Sequence, residues 1–67
     1  MSEQGGGRDP VSALVHDLRT PLAVVSGFAE LLERRGDSLS AEQRAEYLSR
    51  ILQGAREMDA ILQAARE

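Results

Sequence analysis

Residues 9–36, DPVSALVHDLRTPLAVVSGFAELLERRG, decide the fold. Asp9 followed by Pro10 reads as a helix start: a carboxylate can accept from the first free N–H groups, and proline at the first helical position gives up an N–H that has no helical partner there. From that point apolar residues return every three or four positions, at Val11, Val15, Leu18, Leu22, Val25, Ala29 and Leu32. Such spacing lines them along one side of a helix. Leu14 and Phe28 widen the stripe, and a stripe of that breadth suits a bundle core better than the narrow seam of a two-stranded coil. At the far end Arg34 and Arg35 complement the negative end of the helix dipole, and Gly36 is expected to close the helix in the left-handed conformation.

Beyond this helix, Gly36 to Leu39 makes a short connection, and Ser40-Ala41-Glu42-Gln43 fits a capping box that opens a second helix. Leu48, Ile51, Ala55, Met58, Leu62 and Ala65 repeat the three-and-four spacing, with Tyr47, Leu52 and Ile61 beside them. Phe28, Tyr47 and Met58 read as packing residues. The expected organisation is a flexible Gly-containing segment over 1–9, then one domain with a helix over 10–35, a turn over 36–40 and a helix over 41–65. So short a connection forces the helices antiparallel. The fold class is therefore all-α, an antiparallel helical hairpin. Two facing stripes leave an apolar flank on each helix, and a chain of 67 residues buries little surface by itself, so two hairpins should pair into a homodimeric four-helix bundle. The acid-first pairs Glu30/Arg34 and Glu46/Arg50 are expected to add only tenths of a kcal/mol, about 0.2–0.5 each. Gly54 lies inside the second helix, where it either allows a close helix approach or is merely tolerated, the second reading standing slightly ahead.

Composition narrows the function. There is no cysteine and one histidine, which excludes disulfides and a structural zinc site. Eleven acidic residues against eight basic ones, a net charge of −3, argue against a nucleic-acid surface. The longest apolar run, Leu22 to Val25, is far short of the ~20 residues that cross a bilayer. Met1-Ser2-Glu3-Gln4 lacks the basic-then-apolar order of a secretory signal, so a cytoplasmic location is expected, in a parent protein that is free to carry a membrane anchor elsewhere.

Chemistry concentrates around His16. It should stand at the edge of the stripe and be at least partly exposed. A neutral imidazole nitrogen is nucleophilic near pH 7, and the adjoining Asp17 can hold the tautomer and take the ring proton. Thr20, one turn on, offers a hydroxyl able to orient a water, and Arg19 can meet phosphate or an acidic partner. Pro21 removes the N–H that would bond the Asp17 carbonyl, so a bend is expected at or just after this turn. Ser26 and Gly27 are read as lying further along the His16 side, as part of a docking surface.

His16-Asp17-Leu18-Arg19-Thr20-Pro21-Leu22 resembles the H-box of histidine kinases of the HisKA type, the dimerisation and phosphoacceptor domain of two-component systems, and the similarity runs from about Val11 to Arg66. The resemblance implies that His16 accepts a phosphoryl group, with Asp17 as its acid/base neighbour, and that ATP and Mg are bound by a separate catalytic domain. It implies onward transfer to an aspartate of a response-regulator receiver domain, with Thr20 supporting dephosphorylation of that regulator. Partners are then a second copy of the chain, the ATP-binding domain and the receiver. No cofactor or metal is expected in this chain, and it should not phosphorylate itself alone. Two other readings stand beside this one: a dimerising helical adaptor that no longer transfers phosphate, and a stand-alone phosphotransfer protein.

Overall fold

The caps set the ends of the two helices. In the computed structural model, which describes residues 9–66, α1 runs Pro10–Arg35, a single 3-10 turn spans Gly36–Ser38, and α2 runs Ala41–Arg66. Apart from Asp9, the expected flexible segment lies outside the described residues. The Asp9 carboxylate accepts from the Val11 N–H at 3.1 Å. At α2 the capping box is reciprocal: the Ser40 hydroxyl accepts from the Gln43 N–H and the Gln43 side-chain oxygen from the Ser40 N–H, both at 3.0 Å.

Gly36 does not adopt the left-handed conformation expected of it. At φ −52° and ψ −39° it is right-handed and begins the 3-10 turn instead. The carbonyls left over at the helix end find other donors: the Ser38 hydroxyl donates to the Arg35 carbonyl at 3.0 Å and the Leu39 N–H to the Gly36 carbonyl at 3.3 Å. A tightened last turn of this kind is an alternative to a left-handed cap.

The seam between the helices also differs from the sequence expectation. The residues of α1 that lose exposure are Ala13, Leu14, Leu18, Pro21, Val25, Phe28, Leu31 and Leu32, and on α2 they are Tyr47, Ile51, Gly54, Met58 and Ile61. Only Leu18, Val25 and Leu32 of the expected first stripe, and Ile51 and Met58 of the second, face the other helix. Val11, Val15, Leu22, Leu48 and Leu62 remain 45–65% exposed. Both helices carry two neighbouring apolar stripes, and the hairpin uses one from each.

Phe28 and Tyr47 meet near the turn, ring centroids 5.1 Å apart and tilted by 51°. Midway along, Pro21 and Gly54 are the buried residues of the two helices. A Cβ at position 54 would stand 2.6 Å from Val25 Cγ2 and 3.1 Å from the Pro21 carbonyl oxygen. Gly54 is thus required by the approach of the helices rather than merely tolerated in α2. α1 runs unbroken through Pro21. No helix is long and apolar enough to cross a membrane among the described residues.

The hairpin measures 52 × 23 × 12 Å, and its smallest dimension is about the diameter of one helix with its side chains. A layer one helix thick has no interior. Among the described residues no apolar side chain is fully buried.

Candidate functional site

His16 lies in the second turn of α1, on the side turned away from α2, where Leu14 and Leu18 hold the backbone against the other helix. Its side chain is 79% exposed and that of Asp17 58%. The His16 Nδ1 and an Asp17 carboxylate oxygen are 3.4 Å apart, at the long end for a hydrogen bond. Because an ionised carboxylate only accepts, this contact favours the tautomer with its proton on Nδ1 and leaves Nε2 with a free lone pair on an exposed ring. The arrangement can therefore offer a nucleophilic nitrogen to an electrophile that arrives from outside the hairpin.

Thr20 is exposed one turn beyond His16 and close to it in azimuth. Its hydroxyl does not back-bond to the His16 carbonyl among the described residues, so it is available to a visiting water or partner. Pro21 turns the other way and is buried against α2. His16 and Arg19 share a shallow open groove with Val11, Ser12 and Val15. Asp17 also borders a separate cleft at the open end of the hairpin, between Leu14 of α1 and Ile61 of α2.

Of the two residues read as lying on the His16 side, Gly27 shares that side and Ser26 does not. Gly27 follows His16 by eleven residues, about three helical turns, and so shares its side; Ser26 is rotated away by about 80° toward Arg19. Gly27 opens an apolar depression lined by Ala23, Val24, Phe28 and Leu31, and nothing lies within 4 Å of where its Cβ would be. Val24 and Leu31 were missed from sequence. The signal for them was the spacing Thr20, Val24, Gly27, Leu31, again steps of four and three, a stripe obscured by the two stronger apolar stripes beside it.

Neither the curated proteins nor the solved structures contain a match to the chain. The family of the His Kinase A (phospho-acceptor) domain matches it over residues 8–67, nearly the whole length. The helical hairpin agrees with that match in element order. The chain belongs to the His Kinase A phospho-acceptor domain family.

Proposed function

We propose that this chain is the phosphoacceptor and dimerisation module of a two-component sensor histidine kinase, with His16 as the acceptor. The observation that carries this reading is the chain's one histidine, held 79% exposed on a rigid helix with Nδ1 against Asp17 and Nε2 open, in a member of a phospho-acceptor family. A separate catalytic domain holds ATP and Mg. The Nε2 lone pair attacks the γ-phosphorus, a P–N bond forms, and the bond to the ADP oxygen breaks. Asp17 stabilises the positive charge that develops on the ring and accepts the Nδ1 proton. In the second transfer a carboxylate oxygen of a receiver domain attacks the same phosphorus, Asp17 hands its proton back to Nδ1, and the P–N bond breaks, returning a neutral imidazole.

The receiver docks along the stripe that leads from Thr20 through Val24 and Gly27 to Leu31, where the depression at Gly27 admits an apolar side chain. Thr20 then orients a water for hydrolysis of the receiver's phosphoaspartate, while Arg19 and Ser26 stand at the edge of the docked assembly. The chain works in the cytoplasm, where ATP is supplied.

The module works as a homodimer. Val11, Val15, Leu22, Leu48, Leu52 and Leu62 are each about half exposed, so covering one contributes on the order of 1 kcal/mol. Over two protomers the sum is on the order of 10 kcal/mol, comparable to the whole stability of an ordinary domain at about 5–15 kcal/mol. A four-helix bundle of two hairpins supplies that cover.

The test is to incubate the chain with a histidine kinase catalytic domain, ATP and Mg, and then with a receiver domain. The expected result is acid-labile, base-stable phosphate on the chain that moves to the receiver. Absence of phosphate with every competent catalytic domain, on a folded dimer, would reject the reading.

A further inference from the structure

The two apolar stripes left open by the hairpin carry charges in a matched order. On α1 the stripe runs Val15, Leu22, Ala29 at seven-residue intervals, and on α2 Leu48, Ala55, Leu62 at the same interval. Arg19 comes four residues after Val15 and three before Leu22; Asp59 comes four after Ala55 and three before Leu62. Both therefore border their stripes at one level. Glu33 continues the α1 stripe one turn past Ala29, and Arg44 continues the α2 stripe one turn before Leu48. All four side chains are exposed.

Their heights follow from contacts inside the hairpin. Phe28 stands level with Tyr47, and Val25 with Gly54. Counting outward along antiparallel helices from the nearer of these two contacts brings Arg19 to within one residue of the level of Asp59 and Glu33 to within two of that of Arg44, about 1.5 and 3 Å along the axis. They do not meet within one chain, because the open stripes point away from the seam; the ion pairs among the described residues are His16 with Asp17 and Glu46 with Arg50. A twofold axis parallel to the helices preserves height, so a second hairpin packed on the open face brings each residue to its counterpart on the other copy.

We propose that the homodimer is set in register by two kinds of charge pair across its interface: Arg19 with the partner's Asp59, and Glu33 with the partner's Arg44. This places α1 of one protomer against α2 of its partner. The alternative of parallel α1 helices side by side would set Arg19 against the partner's Arg19 and Glu33 against the partner's Glu33, two like-charge contacts. The inference rests on the homodimer reading above and adds to it the pairing order and the four residues that select it. Arg19, at the edge of the receiver-docking face, thereby also stands at the rim of the dimer. Each exposed pair is weak alone, but the symmetry produces four of them in every dimer.

The test uses two variants of the full chain that reverse the charges on one helix each. In the first, Arg19→Glu with Glu33→Arg, a homodimer has four like-charge contacts with an unaltered α2. In the second, Asp59→Arg with Arg44→Glu, the clash is the same with an unaltered α1. Mixed together, every pair is again opposite in sign. The Glu33→Arg and Arg44→Glu changes also suit the helix ends at which they lie, so helicity should be kept. Each variant alone should self-associate on the order of tenfold more weakly or worse. By native mass spectrometry, an equimolar mixture should hold heterodimer well above the statistical half, with the excess fading as salt is raised. A variant that loses helicity alone should regain it on mixing, which reads the same pairing. Statistical mixing of two stable homodimers would overturn the pairing and leave the homodimer standing, whereas a monomeric unaltered chain would overturn both.

Discussion

On α1, Leu18, Pro21 and Val25 turn toward α2 and lose most of their exposure, whereas His16 and Thr20, one or two positions away, stand in solvent. The first group faces the seam, where Gly54 of α2 meets Pro21 and Val25; the second stands outside it. One helix thus carries a structural side and a chemical side that share a backbone and almost nothing else. A substitution on the structural side should remove the fold and, with it, the chemistry. On the chemical side it should remove chemistry alone, because a solvated side chain has no packing to lose.

That contrast can be broken at four places. The largest effect is expected from Leu18→Asp or Val25→Asp, each of which puts a carboxylate into the seam without a cation to meet it. A buried unpaired charge costs about 3–5 kcal/mol, more than a hairpin with no fully buried apolar side chain can absorb. Helicity by circular dichroism and dimer by sedimentation should vanish together, and a folded variant would show that the seam is not what holds α1. On the other side, Asp17→Asn should slow phosphorylation of His16 by about 10²–10⁴ with an unchanged melting temperature. Equal losses of rate and stability would erase the distinction between the sides.

Gly54→Ala comes next. The new methyl collides with Val25 Cγ2, and such overpacking costs about 1–3 kcal/mol, which outweighs the gain of about 1 kcal/mol from replacing glycine in a helix. Denaturant unfolding should show net destabilisation. Adding Val25→Ala should recover part of the loss, so that the double variant is more stable than the sum of the singles predicts; strict additivity would mean the close approach carries no energy. The smallest effect on stability belongs to Thr20→Ala, within about 0.5 kcal/mol. Its consequence should appear in a single assay: phosphorylation of His16 proceeds while loss of phosphate from the receiver slows.

Much of this was legible in the sequence because its signals are local. Asp9-Pro10 and Ser40 with Gln43 act through neighbours three residues away or fewer, and both caps form with the hydrogen bonds that their chemistry predicts. Which stripe meets α2 was not legible. Residues such as Leu14 and Val15, or Leu48 and Ile51, are adjacent on the helix surface and equally apolar, and only the partner helix decides between them. Gly36 misled for a related reason: a glycine after two arginines fits a left-handed cap, but Ser38 two residues later supplies a hydroxyl that satisfies the Arg35 carbonyl without one. The need for glycine at position 54 lies in Pro21 and Val25, some thirty residues distant in sequence. At the site, His16 and Asp17 adjoin in sequence and in space. Ser26, ten residues after His16, falls about 80° away from its side of the helix.

The central claim is that His16 is the phosphoacceptor, through Nε2. The most direct measurement is to phosphorylate the ¹⁵N-labelled chain with a catalytic domain, ATP and Mg, and to locate the phosphorus by its coupling to the ring nitrogens, with His16→Gln treated in parallel. The account predicts coupling to Nε2 of His16, and a His16→Gln variant that stays helical and dimeric while taking up no phosphate. Phosphate on Nδ1 would contradict the role given to Asp17. Undiminished uptake by His16→Gln would contradict the claim itself, and an unreactive but well-folded native chain would leave a dimerising adaptor as its function.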